Sequence, residues 1–172
     1  GFDGVDFELR RGEILGFAGL VGAGRSEAFQ AIFGYRKRTA GRVVLCGEDL
    51  PANDPVAAAA RGLVYLPEER SLHGIFAHLS LHDNIALSLF GDTARGGLIS
   101  SARENAAVQG VIDAYEIKTS SNRKHIRFLS GGNQQKAVIG RAIARNPKVL
   151  IFDEPTKGID VRTKLQIYTI MK

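Results

Sequence analysis

The chain has 172 residues, of which 44% are hydrophobic and 24% charged, a balance that is typical of one globular domain and excludes intrinsic disorder. Lysine and arginine (23) outnumber aspartate and glutamate (18), giving a net charge of +5, but the basic residues are scattered among acidic ones. We therefore expect the excess positive charge around bound phosphates or on a solvated face, with a nucleic-acid stripe or an anionic lipid patch as the less favoured alternatives.

The single cysteine, Cys46, excludes a disulfide framework and a cysteine-based zinc site, and it fits a reducing compartment. The sequence has no apolar run of the roughly 18–20 residues that a membrane span requires, and no recognisable signal peptide. It also begins without Met. We therefore expect a soluble intracellular fragment of a longer protein.

The first part of the chain is predicted to open an α/β fold. Apolar residues alternate over 5–9, which is the period of a strand, and 13–18 is almost continuously apolar, as in a strand that is covered on both faces. A glycine-rich loop follows from Gly19 to Gly24, and a helix that begins at Ser26 is predicted to end at Gly34. A strand, a glycine-rich loop and a helix in this order are typical of an α/β unit.

Two more strands are predicted over 42–46 and 63–66. Between them, Asp54 followed by Pro55 is typical of the start of a short helix, here rich in alanine. From about residue 75 the pattern becomes helical. We interpret this change as a helical insert in an otherwise α/β chain.

Sequences like capping boxes at Ser80 and Ser101 each open an amphipathic helix of this insert. The second helix carries four apolar residues on one face: Val108, Val111, Ile112 and Tyr115. A helix over 133–145 then leads into a buried strand over 149–152, and a last helix begins near Val161.

The first motif with chemical meaning is the segment from Gly19 to Ser26, which has the spacing of a phosphate-binding loop, with Arg25 where lysine is usual. Glycines allow successive backbone N–H groups to surround phosphate oxygens, and the positive end of the following helix attracts the same anions. The hydroxyl of Ser26 could bind Mg²⁺. The alternative is a tight strand-to-helix turn without a ligand.

The second motif is the pair of acids, Asp153 and Glu154, that follows the strand over 149–152. The carboxyl ends of strands are where open α/β sheets bind ligands. Asp153 could hold Mg²⁺ through water, and Glu154 could orient or activate an attacking water. Two solvated acids at the end of a strand are the alternative.

The third motif is Ser130-Gly131-Gly132, followed by the amides of Asn133, Gln134 and Gln135. Small residues at the start of a helix allow a phosphate to approach the backbone, and Ser130 could cap that helix. A plain capping turn is the alternative, although it does not require three amides. One nucleotide does not need two phosphate sites, so the second site makes sense if a partner domain supplies its nucleotide.

Together these motifs resemble those of an ATP-binding cassette (ABC) domain. Leu129-Ser130-Gly131-Gly132 resembles the ABC signature, and 153–160 resembles the family's D-E-P-T-x-x-[LVI]-D stretch. More narrowly, the motifs are similar to those of the C-terminal cassette of fused two-cassette ATPases that power ribose-, xylose- and galactose-type sugar importers. The resemblance covers essentially the whole chain.

The resemblance implies an α/β P-loop NTPase core, with a mixed, mainly parallel sheet flanked by helices. The chain, 1–172, would be a partial cassette truncated at both ends, with a helical ABC subdomain inserted at about 75–135. In this family two cassettes lie head to tail and enclose two ATP molecules, each with Mg²⁺.

The resemblance also implies a role for each motif residue. Ser26 and Asp153 would serve Mg²⁺, and Glu154 would be the catalytic base. Asp160 would lie at the interface between cassettes, and Glu68 occupies the position of a glutamine that senses Mg²⁺ and contacts the membrane subunit. The residues implied in nucleotide binding are Gly19, Gly22, Ala23, Gly24, Arg25, Ser26, Glu27, Glu68, Ser130, Gly131, Gly132, Asn133 and Asp160.

The implied function is ATP hydrolysis that powers monosaccharide import across the bacterial inner membrane. The implied partners are a second cassette, expected to be the N-terminal half of the same polypeptide, a membrane permease and, indirectly, a periplasmic sugar-binding protein, with no nucleic acid. The cassette would be peripheral, at the cytoplasmic face. Arg25 and Glu68 depart from the family pattern. They predict that the ATP site at this chain's own phosphate-binding loop is weakened. Two alternatives stay open: a regulatory nucleotide-binding cassette without turnover, and a non-transport ABC ATPase that acts on nucleic acid.

Overall fold

The structure, a computed structural model, describes residues 4–20, 22–95 and 98–171. It divides the chain into two compact units, Gly1–Tyr65 and Leu66–Lys172. Within the described ranges, every helix is too short or too polar to cross a membrane.

The first unit contains two helices and an antiparallel hairpin. Helix α1 (Arg25–Phe33) ends at Gly34, as predicted, and α2 (Pro55–Ala60) begins after Asp54, whose side chain accepts a hydrogen bond from the N–H of Ala57 at 2.9 Å. Strands β1 (Val44–Leu45) and β2 (Glu48–Asp49) pair with each other. Strand β3 (Leu63–Leu66) is the strand predicted over 63–66.

The two strands predicted before the glycine-rich loop are wrong. In the described part of the chain, neither 5–9 nor 13–18 has strand structure, and their apolar side chains are mostly exposed. Phe17 instead contacts the rings of Phe7 and Phe29, with centroids 4.9 and 5.1 Å away. Alternation of side chains is not enough for a strand, because a strand also needs a neighbour for its backbone hydrogen bonds. For the same reason, only Val44 and Leu45 of the strand predicted over 42–46 have strand structure, as β1.

The second unit is built mainly from helices. Its elements, in chain order, are a π-helical turn (Arg70–Gly74), α3 (Leu81–Thr93), β4 (Ala94–Arg95), β5 (Leu98–Ile99), α4 (Ser101–Ala114), a 3₁₀ turn (Ile126–Phe128), α5 (Gly131–Ile143), β6 (Val149–Phe152) and α6 (Val161–Met171). Strands β4 and β5 form an antiparallel hairpin, so the insert is not wholly helical. The N–H of Asp153, just after β6, donates to the carbonyl of Leu66 at 3.0 Å.

Helices α3, α4 and α5 pack around one apolar core. The predicted face of α4 is confirmed: Val108, Val111 and Ile112 are buried, and Tyr115 packs against the same core. The other core residues come from α3, from the segment before α5, and from α5 itself: Leu81, Ile85, Ala86, Leu89, Ile117, Ile126, Leu129 and Ala137. This core fixes the start of α5, where the third sequence motif lies.

The helix boundaries follow the capping side chains. The box at Ser80 is confirmed, since Asp83 N–H donates to Ser80 Oγ at 3.0 Å and Ser80 Oγ donates to Asp83 Oδ2 at 2.6 Å. The box at Ser101 is wrong: the residue before α4 is Ser100, which makes no side-chain cap bond. Helix α5 begins two residues before the predicted Asn133, because Ser130 is its N-cap.

Asn84 is a buried polar residue in the first turn of α3. It is 0% exposed. Its Oδ1 accepts from the N–H of Phe76 at 2.8 Å, and its Nδ2 donates to the carbonyls of Phe76 and Ser80 at 3.0 and 2.9 Å. One side chain therefore satisfies the backbone of the loop that enters α3.

We predict that Asn84→Ala lowers the free energy of unfolding by about 2 kcal/mol, because it removes the hydrogen bonds of a fully buried side chain and takes away the acceptor of the Phe76 N–H. The measurement is equilibrium unfolding in urea. Gln109→Ala is the matched control, since it removes an exposed hydrogen bond to Asp113 and should change stability by no more than about 0.5 kcal/mol. Equal effects of the two substitutions would contradict this account of the core.

Candidate functional site

The glycine-rich loop lies in the first unit and leads directly into α1. Val21 lies outside the described residues. Gly22 and Gly24 have left-handed φ angles of 84° and 85°, which side chains rarely adopt, and the N–H of Ala23 donates to the carbonyl of Leu20 at 3.0 Å. Gly19 comes close to Ala23, since a Cβ there would lie 3.3 Å from the Cβ of Ala23. The loop is therefore a tight turn that depends on its glycines.

The first turn of α1 carries the polar residues of this motif. The helix begins at Arg25, not at the predicted Ser26, because Gly24 takes the N-cap position. Ser26 follows as the second helical residue, and Glu27 forms an ion pair with Arg36 at 3.6 Å. First-turn N–H groups have no acceptor within the helix, so this end of α1 suits an anion.

The turn before α5 exposes Ser130. Its Oγ accepts from the N–H of Asn133 at 3.4 Å and from the Asn133 side-chain amide at 2.9 Å. Asn133 Oδ1 in turn accepts from the N–H of Lys118 at 2.8 Å. Asn133 thus holds the Ser130 side chain at the surface.

The amides of this motif serve the fold, which sequence reasoning had not foreseen. Gln134 Nε2 donates to the carbonyls of Ile126 and Leu129 at 3.2 and 3.1 Å, and Gln135 is 3% exposed. These contacts fasten the segment before α5 to the helix. The three amides are therefore accounted for by structure without a ligand, and Ser130 combines its capping role with an exposed position.

The two glycines of this turn lie against other side chains. A Cβ on Gly131 would lie 2.6 Å from Arg70 Nη2 and 3.3 Å from the carbonyl oxygen of Gly158. A Cβ on Gly132 would lie 2.7 Å from both Oγ1 and Cγ2 of Thr163. Packing inside the unit therefore requires a glycine at 132, and a side chain at 131 would displace the Arg70 guanidinium.

The two acids follow β6, as the sequence predicts, although the strand is only half-buried. Asp153 is 2% exposed, whereas Glu154 is exposed and has a left-handed φ of 46°. Such a conformation is unusual for a residue other than glycine, asparagine or aspartate, and it redirects the chain at the end of the strand. The N–H of Lys157 donates to the carbonyl of Glu154 at 3.0 Å and closes the turn.

Glu68 has a partner that the sequence did not reveal. Its Oε1 lies 2.5 Å from Lys157 Nζ, and this hydrogen bond raises the pKa of Lys157. Arg70, two residues later, donates to the carbonyl of Lys157 at 2.9 Å and lies 3.4 Å from that of Gly158. The positions are separated by 87–89 residues in sequence, so no local pattern could have linked them.

Asp160 caps helix α6. Its Oδ1 accepts from the N–H of Thr163 at 3.0 Å, and its Oδ2 accepts from Thr163 Oγ1 at 2.7 Å. These hydrogen bonds hold the pKa of the Asp160 carboxyl below its usual value. The residue that a dimer interface was expected to use thus has a role within its own unit.

The second unit links several predicted site residues through Lys157, Arg70 and Thr163: Glu68, Gly131, Gly132 and Asp160. The hydroxyl of Ser26 and the carboxylate of Asp153 are oxygen donors of the kind that Mg²⁺ prefers. Among the described residues, no cluster of three or more His, Cys, Asp or Glu side chains could hold a metal ion by itself.

Comparison with known proteins gives a consistent result. The family model described as ABC transporter matches residues 2–157. The ribose import ATP-binding protein RbsA of Chromobacterium violaceum is 45% identical over 98% of this chain, and that of Shouchella clausii is 42% identical over 99%. The arabinose import ATP-binding protein AraG of Burkholderia pseudomallei is 46% identical over 98%. The chain spans about a third of the length of these relatives, 34% in each case.

A solved structure has the same fold. It is the dimeric, post-hydrolysis state of an ATP-binding cassette bound to ADP and Pi, with a TM-score of 0.73 and 22% sequence identity over 88% of this chain and 65% of that one. A second dimeric structure of a bacterial ABC transporter cassette aligns with a TM-score of 0.71 and 22% identity, over 86% of this chain and 63% of that one. The fold is therefore that of an ABC ATPase cassette, a P-loop NTPase, as the sequence predicts.

We predict that Asp160→Ala lowers the melting temperature at pH 7 and that this difference shrinks as the pH falls below about 4. The folded-state pKa of Asp160 is depressed, so its stabilisation is present above the unfolded-state pKa and is lost as the pH falls through the folded value. Thermal unfolding of both proteins between pH 7 and pH 3 is the measurement. Asp160→Asn is the control, because it keeps an acceptor for the N–H of Thr163 and should cost less than alanine at pH 7. The same wild-type-to-alanine difference at pH 7 and pH 3 would contradict the role of the charge.

Proposed function

The chain belongs to the ABC transporter family, and from this membership we propose that it is an ATP-binding cassette that works in the import of a monosaccharide. Together with a second cassette it would hydrolyse ATP and so power transport. Relatives named for ribose or arabinose import match 98–99% of the chain at 42–46% identity, which supports a sugar as the transported substrate.

The observation that carries the proposal is the exposed turn at the start of α5. Ser130 lies at the surface, at the N-terminus of a helix of 13 residues that is anchored in the helical core. The positive end of such a helix and a serine hydroxyl suit a terminal phosphate. Since the turn is accessible, we propose that Ser130, Gly131 and Gly132 contact an ATP that a second cassette holds.

The glycine-rich loop would bind the phosphates of this chain's own ATP. Its backbone N–H groups and the N-terminus of α1 supply positive partial charge. Ser26 and Asp153 would hold Mg²⁺, which neutralises charge on the phosphates. Glu154 would accept the proton of the attacking water as general base.

We propose that this own site is weaker than that of the second cassette. Arg25 stands where lysine is usual, and its planar guanidinium is bulkier and more restricted in geometry than an ammonium group. Glu68, at the position of the family's Mg²⁺-sensing glutamine, is engaged by Lys157 at 2.5 Å. A cassette of this kind contributes chiefly by presenting Ser130 to the more active site.

The remaining organisation follows from the same proposal. The helical segment at about 75–135 would be the subdomain that faces a membrane permease, inserted in a P-loop core. A periplasmic sugar-binding protein would act through the permease. The second cassette would be the N-terminal half of the same polypeptide, and the whole would be peripheral at the cytoplasmic face of the bacterial inner membrane.

A second candidate is a regulatory cassette that binds nucleotide without turnover. The observation that favours it is the ion pair between Glu68 and Lys157, which occupies a side chain that other cassettes use at the nucleotide. Single-turnover hydrolysis by the intact protein, with each phosphate loop disabled in turn, separates the candidates, because a purely regulatory site binds ATP without forming product.

We predict that Ser130→Arg abolishes ATP turnover in the intact two-cassette protein, whereas Arg25→Ala reduces it less. The bulky arginine blocks the turn that serves the more active site, but Arg25 belongs to the weaker one. Steady-state ATPase rates of the wild type and both variants are the measurement.

Ser101→Arg, at the exposed start of α4, is the matched control for the added side chain and should retain wild-type turnover. Equal, mild losses from Ser130→Arg and Arg25→Ala would count against unequal sites.

A further inference from the structure

Arg70 joins three segments of the second unit that are far apart in sequence. Its Nη1 donates to the carbonyl of Lys157 at 2.9 Å, and its Nη2 lies 3.4 Å from the carbonyl oxygen of Gly158. The same Nη2 lies 2.6 Å from the place where a Cβ of Gly131 would be. The planar guanidinium therefore lies between the turn at 157–158 and the start of α5.

The turn at 157–158 receives a second contact from the same stretch of chain. Glu68, two residues before Arg70, pairs with the side chain of Lys157. Both groups of this pair are partly exposed, so the ion pair alone contributes little to stability. Arg70 is half-buried, and the N–H groups of its planar guanidinium point in fixed directions. It therefore fixes the position of the turn at 157–158 better than the ion pair does.

The segment that carries Arg70 is itself anchored. Arg141, on α5, donates to the carbonyl of Gly74 at the end of the π-helical turn and to that of Asn84 at 3.2 Å. The Arg141 side chain thus ties this turn to α5 and to α3. Because Arg70 is the first residue of this turn, its backbone is attached to the helical core through Arg141.

From these contacts we infer that Arg70 is a positioning residue that holds the 157–160 segment against the N-terminus of α5. Asp160 and Ser130 then form one rigid surface toward a nucleotide bound by a second cassette. This inference rests on the proposed function, and it adds a residue outside the motifs. Arg70 acts through backbone carbonyls and through Gly131, without touching the nucleotide itself.

The test uses Arg70→Gln and Arg70→Lys in the intact two-cassette protein, with Arg103→Gln as a matched control. Arg103 is an exposed residue in the first turn of α4. Because Arg70 orients the site but does not bind ATP, Arg70→Gln should lower kcat by about 10-fold or more, with KM for ATP changed by no more than about 2-fold. Arg70→Lys keeps one charged donor and should recover part of the loss.

Amide hydrogen exchange over 157–164 is the second readout, and it does not depend on turnover. This segment includes the N–H groups of Thr163 and Lys164, which donate to the side chain and the carbonyl of Asp160 at 3.0 Å. Arg70→Gln should raise exchange there and leave the core of α3 and α4 unchanged. Exchange that rises equally throughout α3 and α4 would mean general loss of structure and would overturn the inference.

The outcomes separate this inference from the proposed function. If the wild type turns over ATP and Arg70→Gln matches it in kcat, or changes KM alone, Arg70 is not a positioning residue. If Ser130→Arg leaves turnover intact, the proposed function fails, and exchange over 157–164 still decides whether Arg70 holds this segment. Unchanged exchange in Arg70→Gln overturns the inference in either case.

Discussion

The site in the second unit depends on one steric constraint, the close approach of α5 to its neighbours at its first two residues. Gly131 and Gly132 leave room for Arg70 on one side and for Thr163 on the other. A side chain at Gly132 would push the start of α5 away from Thr163, a short β-branched residue that cannot swing aside, and one at Gly131 would displace the Arg70 guanidinium. The constraint leaves Ser130 at the surface, where a phosphate can reach it.

Charged groups complete this arrangement from within the same unit. Asp160 caps α6 through Thr163, the residue that contacts Gly132, and Glu68 pairs with Lys157, whose carbonyl binds Arg70. Side chains that the family resemblance assigned to a nucleotide or to a partner cassette thus also have partners inside the chain. A residue can serve both purposes if the internal contact fixes the geometry that the external ligand requires.

The sequence predicted what depends on near neighbours. Asp54 and Ser80 form the expected caps, and the apolar spacing of α4 identified the face that is buried. The strands expected over 5–9 and 13–18 were wrong, since a strand depends on a partner that local alternation does not specify. The contacts of Arg70 were invisible for the same reason, because they join residues 87 and 88 positions apart. Three amides after Ser130 suggested a ligand, yet their hydrogen bonds and burial serve the fold.

The central claim is that this cassette lends its Ser130 turn to a nucleotide held elsewhere and hydrolyses its own ATP poorly. Single-turnover hydrolysis by the intact protein, with each of its two phosphate loops disabled in turn, tests it most directly. The account predicts that most hydrolysis survives when the loop from Gly19 to Ser26 is disabled, and that almost none survives when the loop of the second cassette is disabled. The reverse pattern, or equal losses from the two loops, would contradict it.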